Sequence, residues 1–261
     1  MIKFIASDLD GTLLPPSKIM PEETFALNKK LYSRGIIFAP ASGRQLPNLK
    51  KLFAPVLDKI AIIAENGGIG WYNGEVVYSN PTPKDGVMRA LDIIRQEKDL
   101  YPLLSCADCA YYDSDFAPFF EISKKSYTNI QRADLDEIAR SETVIKISVW
   151  DAKPPCAEHG GIILPPKLQG LRAMVSGYDW LDVSVSSANK GNALKALLNI
   201  CNVKKNECMA FGDHMNDLEM LLESGLPYVT ENAFAGLKAH IKNTVPSNAE
   251  NGVIQKIKEI L

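Results

Sequence analysis

Short apolar runs separated by amphipathic stretches set the rhythm of the chain's first third. Residues 2–6 read as a strand that breaks at once into Ser7-Asp8-Leu9-Asp10-Gly11-Thr12. Pro21 stands where the first residue of a helix belongs, and Phe25, Leu27, Leu31 and Tyr32 follow at roughly helical spacing until Gly35. The same logic predicts a strand over 36–40, a short helix over 45–53 and a strand over 60–64. A hairpin of 69–72 with 76–78 turns on Asn73-Gly74. Strand, helix, strand, helix, strand is the signature of a parallel sheet with helices on its faces.

The middle of the chain changes character. A helix is predicted over 85–97, a hairpin of 103–106 with 110–113 around Ala107-Asp108, strands over 144–150 and 181–185, and a helix over 167–175. Residues 151–166, rich in Pro and Gly, read as loop. From Lys190 the alternation returns, with helices over 190–200, 214–223, 234–241 and 251–260 and strands over 208–211 and 226–229. Two α/β segments therefore flank a different module. The expected fold is an α/β, Rossmann-like parallel-sheet core formed by residues 1–82 and 187–261, with an inserted α+β cap over 83–186.

Composition narrows the function classes. Of 261 residues, 46% are hydrophobic and 23% charged, which fits a folded chain and excludes a disordered one. A net charge of −2 leaves no positive excess to neutralise a nucleic-acid backbone. The longest apolar runs fall far short of the ~20 residues of a membrane helix. Five cysteines make an odd count scattered from Cys106 to Cys208, which argues against a disulfide framework. An acidic residue at position 8 comes too early for a signal peptide, so a cytoplasmic protein is expected.

Four constellations stand at predicted strand-to-helix junctions, where open α/β sheets bind their ligands. Asp8 and Asp10 crowd two carboxylates into one turn, which raises their pKa values unless a cation intervenes. Oxygen ligands of this kind suit Mg²⁺. Gly11 permits the tight turn and Thr12 is placed to bond orphan backbone groups. Ser42-Gly43-Arg44 offers a hydroxyl and backbone N–H groups at a helix start, either an anion site or a plain N-cap. Lys190-Gly191 puts a cation at a helix N-terminus, against the macrodipole; a bound anion would explain it, and so would a solvated surface position. Gly212-Asp213-His214-Met215-Asn216-Asp217 is a second acidic cluster, with Asp213 and Asp217 on one face if the helix starts at once.

In this order the four motifs resemble the signatures of the haloacid dehalogenase-like phosphohydrolase superfamily. The length and placement of the insertion resemble its Cof-type (IIB) subgroup with a large α+β cap. Glu65-Asn66-Gly67-Gly68 and the stretches 246–248 and 251–253 extend the resemblance across the chain, while Glu231-Asn232-Ala233 departs from the usual Gly-Asn-Ala. The resemblance implies a Mg²⁺-dependent phosphatase of small phosphorylated metabolites, foremost sugar phosphates. Asp8 would be the nucleophile that forms an aspartyl-phosphate, and Asp10 the general acid/base. Mg²⁺ would be held by Asp8, the backbone carbonyl of Asp10 and Asp213, supported by Asn216 and Asp217. Ser42 and Lys190 would act on phosphoryl oxygens, with Leu9, Gly43, Arg44 and Asn216 completing the phosphate site. A cap enclosing the pocket would disfavour a phosphoprotein substrate. The alternatives are a phosphotransferase or phosphomutase with the same nucleophile, and a non-enzymatic module that senses sugar phosphates. A monomer and a weak dimer are equally compatible with the sequence.

Three further features are weighed against function. Cys106-x-x-Cys109 and Cys156-x-x-His159 together would supply four zinc ligands, but their spacing fits no finger framework. His214 is expected to face solvent, and Trp71, Trp150 and Trp180 are expected to be packing anchors.

Overall fold

The computed structural model describes residues 1–261. The chain runs through β1 (Phe4–Asp8), β2 (Ile37–Ala41), β3 (Ile62–Ala64), β4 (Ile69–Tyr72) and β5 (Glu75–Ser79). Next come β6 (Leu100–Ser105), β7 (Ala110–Tyr112), β8 (Ile130–Arg132), β9 (Lys146–Asp151), β10 (Arg172–Val175) and β11 (Trp180–Ser184). It closes with β12 (Cys208–Gly212), β13 (Leu226–Thr230) and β14 (Thr244–Val245). Two compact units result: Met1–Ser42, Leu49–Ser79 and Asn189–Leu261 form the first, and Gly43–Asn48 with Asn80–Ala188 the second.

The first unit holds an eight-stranded sheet in the order β14-β13-β12-β1-β2-β3-β4-β5. The strands from β14 to β3 pair in parallel, and β4 and β5 add an antiparallel hairpin at one edge. The expected parallel α/β core is thus present. Its central strands are buried on both faces and read FIASD and CMAFG, with Ala6, Ala39 and Ala210 leaving room for helices. The helix Lys190–Ile200 fills that room with Ala193, Leu194, Leu197 and Leu198. Each fully buried Leu of this kind contributes about 1.5–3 kcal/mol. The geometry matters for chemistry because β1, β2 and β12 are neighbours and parallel, so Asp8, Ala41 and Gly212 all end strands at one edge.

The second unit holds a mostly antiparallel six-stranded sheet in the order β10-β11-β9-β6-β7-β8. One face is apolar: Leu100, Leu104, Ile147, Val149, Leu181 and Val183 pack against Val87, Ala90, Leu91 and Ile94 of the helix Lys84–Arg95 and Leu135 and Ala139 of the helix Leu135–Ser141. The strict alternation of β9 turns Lys146 and Ser148 to the other face. There Lys146 Nζ donates to Asp182 Oδ2 at 2.8 Å, Ser148 Oγ to Asp182 Oδ1 at 2.9 Å and Tyr127 OH to Ser148 Oγ at 2.6 Å. Leu103, Tyr112, Phe119 and Tyr127, with Trp150 and Trp180 packed alongside, form an aromatic cluster on that face.

Several local expectations fail for identifiable reasons. Residues 167–175 are not a helix. Pro165 and Pro166 precede them, Gly170 adopts φ +76, and Arg172–Val175 pairs antiparallel with β11 instead. The helix Ala117–Ser126 was not expected at all; Phe119 anchors it onto Trp150 and Trp180. The loop 151–166 contains two short helical turns, Cys156–Glu158 and Gly160–Ile163.

Candidate active site

Each strand end delivers one piece of the site. The β1 strand ends in Asp8, which is 7% exposed, and the chain then turns sharply at Gly11, where φ is +88. A Cβ at Gly11 would lie 2.3 Å from Asp213 Oδ2, so the turn and the carboxylate of Asp213 touch only because residue 11 has no side chain. Thr12 does not cap the backbone as its position suggested. Its hydroxyl donates to Asp213 Oδ1 at 2.9 Å and so fixes that carboxylate.

Lys190 is fully buried, which settles its two readings against the solvated one. Its ammonium donates to Asp8 Oδ1 and to Asp217 Oδ1, both at 2.6 Å. Asn189 caps the helix by accepting from Asn192 N at 2.9 Å. Asp217 is fully buried too, and its second oxygen accepts from the backbone N–H groups of Asp213 and His214 at 2.9 and 3.1 Å. The helix expected over 214–223 begins as a short 3₁₀ turn, Met215–Asp217. That turn packs Asp217 against Gly212 at the end of β12, and its carboxylate still converges with that of Asp213.

Asp8, Asp213 and Asp217 bring one carboxylate oxygen each to within 4.8 Å of one another. Three carboxylates against one ammonium leave a formal excess of two negative charges in a largely buried volume. Burial pushes Asp8 well above the usual carboxylate range; Lys190 opposes the shift, and the charges of Asp217 and Asp213 add to it. Burial, then the neighbouring Asp217, raises Asp213. Lys190 is held above the usual lysine range, the two aspartates outweighing its desolvation. An oxygen-only donor set with two surplus charges fits a hard divalent cation such as Mg²⁺. Asp10 is exposed, and its carboxylate is not one of the three.

Ser42 directly follows β2 and is 3% exposed. It is not a helix cap, because the next helix, Leu46–Leu52, starts four residues later. Its N–H donates to Ile63 O at 2.9 Å and its carbonyl accepts from Asn66 N at 3.0 Å. Asn216 Nδ2 donates to Asn66 Oδ1 at 3.3 Å. Leu9 is fully buried. Gly43 and Arg44 fall in the second unit, where Lys146 Nζ donates to Gly43 O at 2.9 Å.

The spacing of residues missed one brace. Asn232 Nδ2 donates to Gly11 O at 2.7 Å and its Oδ1 accepts from Asn248 N at 3.0 Å, while Asn248 Nδ2 reaches Leu14 O at 2.8 Å. Phe234 N donates to Asp213 O at 2.8 Å. The 231–234 turn thus holds both acidic loops, over sequence separations that no local pattern reveals.

The four zinc-type residues do not converge. Cys106 and Cys109 flank the β6–β7 turn, one residue beyond Ser105, which pairs with Lys146. His159 Nδ1 and Cys156 lie at the far end, His159 on Asp151, which pairs with Leu100. Five residue steps along the strand separate the two ends, roughly 17 Å at ~3.4 Å per step. His214 is exposed and lies 5.4 Å from Phe234, ring to ring. Trp71 is core, 4% exposed.

Comparison with known proteins agrees with this architecture. A uracil-derivative phosphatase of Escherichia coli, named for 5-amino-6-(5-phospho-D-ribitylamino)uracil, is 27% identical over 100% of this chain and 96% of its own length. An HMP-PP phosphatase of Citrobacter koseri is 29% identical over 92% of this chain and 88% of its own. A crystal structure from Eubacterium rectale superposes with a TM-score of 0.86 at 28% identity, covering 100% of this chain and 99% of the other. The family model of the haloacid dehalogenase-like hydrolases matches residues 5–257, and the chain belongs to that family.

Proposed function

We propose that this hydrolase is a phosphatase of small phosphorylated metabolites that works through an aspartyl-phosphate on Asp8. The observation that carries the reading is the clamp of Lys190 on Asp8. A buried ammonium 2.6 Å from Asp8 Oδ1 favours the carboxylate form and opposes the rise that burial imposes, leaving the other oxygen as the attacking atom. The same ammonium offsets repulsion between the nucleophile and an incoming phosphate dianion. Asp8, the Asp10 carbonyl and Asp213 would hold Mg²⁺, with Asp217 and Asn216 in support. The bound cation would neutralise charge on the phosphoryl oxygens. Asp217, spent on Lys190 and two backbone N–H groups, orients the ammonium and closes the acidic turn.

Asp10 would give a proton to the leaving oxygen and later take one from the water that hydrolyses Asp8-phosphate; its exposure allows exchange with solvent between the two steps. Ser42 would bind a phosphoryl oxygen from the neighbouring strand end, beside the backbone N–H groups of Leu9 and Asp10. The insertion over 83–186 would act as the specificity cap, with Gly43 and Arg44 on the phosphate side. The E. coli relative's name describes a phosphate on a ribityl chain, a phosphorylated polyol, which supports sugar and polyol phosphates as the substrate class.

The test is a panel of sugar, polyol and pyrimidine phosphates assayed for phosphate release with Mg²⁺, with excess EDTA, and with the Asp8→Asn variant. Release that needs Mg²⁺ and vanishes in Asp8→Asn is expected. Full turnover in EDTA, or in Asp8→Asn, overturns the reading.

A further inference from the structure

Residues Glu65-Asn66-Gly67 follow β3 in a conformation that side chains rarely adopt: φ is +54, +53 and +91 at the three positions. Left-handed backbone at two successive non-glycine residues is costly, on the order of 1 kcal/mol or more each, and persists where the surroundings demand it. Here three surroundings converge, each at a different candidate motif. The N–H of Asn66 donates to the carbonyl of Ser42 at 3.0 Å. Asn66 Oδ1 accepts from Asn216 Nδ2 at 3.3 Å. Gly67 lies against the Asn189–Lys190 peptide so closely that a Cβ there would sit 2.1 Å from Asn189 O and 2.5 Å from Lys190 N.

We infer that the Glu65-Asn66-Gly67 turn is the positioning element of the phosphate side of the site, setting Ser42, Lys190 and Asn216 relative to one another, with Asn66 as the positioning residue for Asn216. The geometry explains each residue type. Asn is the side chain that tolerates a left-handed backbone while presenting an amide oxygen. Gly67 is required both by its φ and by the contact with the Lys190 peptide. The ammonium of Lys190 is anchored at its far end by Asp8 and Asp217, so the turn fixes the other end, the backbone from which that side chain starts. Asn66 and Glu65 are themselves buried, 7% and 2% exposed, so the turn is part of the packed unit and not a surface ornament.

This inference rests on the phosphatase reading, and a double-mutant cycle separates the two. Asn66→Gly removes the carboxamide while keeping the left-handed backbone accessible, and Asn216→Ala removes its partner. Steady-state kinetics of wild type, both single variants and the double variant are measured with p-nitrophenyl phosphate and Mg²⁺, alongside thermal unfolding. The expected result is that each single variant loses kcat with little change in KM. The double variant should be no worse than the weaker single one, a coupling within the about 2- to 100-fold range of contacting pairs. Melting temperatures should stay close to wild type. Gly67→Ala should lower kcat further by displacing the start of the Lys190 helix. Effects that multiply independently, or a Gly67→Ala variant with wild-type kinetics, would overturn the inference and leave the phosphatase reading standing. A folded wild type inactive on every phosphate ester would overturn both.

Discussion

The ammonium of Lys190 sits 2.6 Å from Asp8 and 2.6 Å from Asp217, with no part of its side chain exposed to solvent. One cation therefore holds together the end of β1 and the turn after β12, which are 182 and 27 residues away from it in sequence. Lys190→Met would leave two buried carboxylates facing each other without compensation. Breaking a buried pair from one side costs about 3–5 kcal/mol. The variant is expected to lose its phosphatase activity and to unfold at lower denaturant concentration. Chemical denaturation monitored by circular dichroism measures the second effect independently of the first.

Gly11 tests the acidic cluster without touching a charge. Ala at this position meets two obstacles, a left-handed φ and an Asp213 oxygen 2.3 Å from the new Cβ. The Asp213 carboxylate must then shift from its place in the cluster. Mg²⁺ affinity, measured by titration calorimetry on the free protein, is expected to fall at least tenfold in Gly11→Ala, within the 10- to 100-fold that supporting contacts to ligands typically carry. An unchanged affinity would mean that Asp213 is not a ligand.

The second unit makes its own prediction. Lys146 and Asp182 form a pair with side chains 6% exposed each, with Ser148 and Tyr127 completing the network. Asp182→Leu alone strands a buried ammonium and should destabilise the unit by about 3–5 kcal/mol. Lys146→Met with Asp182→Leu removes both charges and should recover most of that loss. Urea unfolding of the two variants compares them directly, and a double variant as unstable as the single one contradicts the assignment.

How much of this was readable beforehand follows from the range of the forces. The parallel sheet was legible because buried strands such as β1 and β12 are apolar runs that need no partner to be recognised. The motif residues were legible because three of the clusters are contiguous just at or past a strand end and Lys190-Gly191 opens a helix. Their use was not. Thr12 was read as a backbone cap and proves to be a brace for Asp213, 201 residues away. Ser42, open to reading as an anion site or a helix N-cap, lies one residue past β2 and is no cap, because the chain runs on to Leu46 before turning helical. The strand Arg172–Val175 was hidden for a similar reason: its only strand partner is β11, and pairing across sheet neighbours leaves no trace in local periodicity. The helix Ala117–Ser126 likewise depends on aromatic contacts from three other elements.

Asp8 and Asp10 stand two residues apart yet occupy opposite environments, one buried against Lys190 and one exposed. If the first is the nucleophile and the second the acid/base, substitution should separate their steps. Asp8→Asn loses the attacking oxygen, so no phospho-enzyme forms with any substrate. Asp10→Asn keeps the nucleophile, the Lys190 clamp and the backbone carbonyl at position 10. A sugar alkoxide is a poor leaving group and needs a proton, whereas p-nitrophenolate leaves without one. Acid–base assistance is typically worth ~10²–10⁴-fold, so cleavage of sugar phosphates by Asp10→Asn should fall by about that factor. With p-nitrophenyl phosphate the variant should still load Asp8, then stall because the hydrolytic water has lost its base. The expected observable is a burst of p-nitrophenolate near one equivalent per enzyme followed by slow turnover. Phosphate should be retained on Asp8, as detected by mass spectrometry of the acid-quenched protein. Wild-type steady-state rates on sugar phosphates in Asp10→Asn would remove Asp10 from the mechanism, and a burst without label on Asp8 would remove the covalent intermediate.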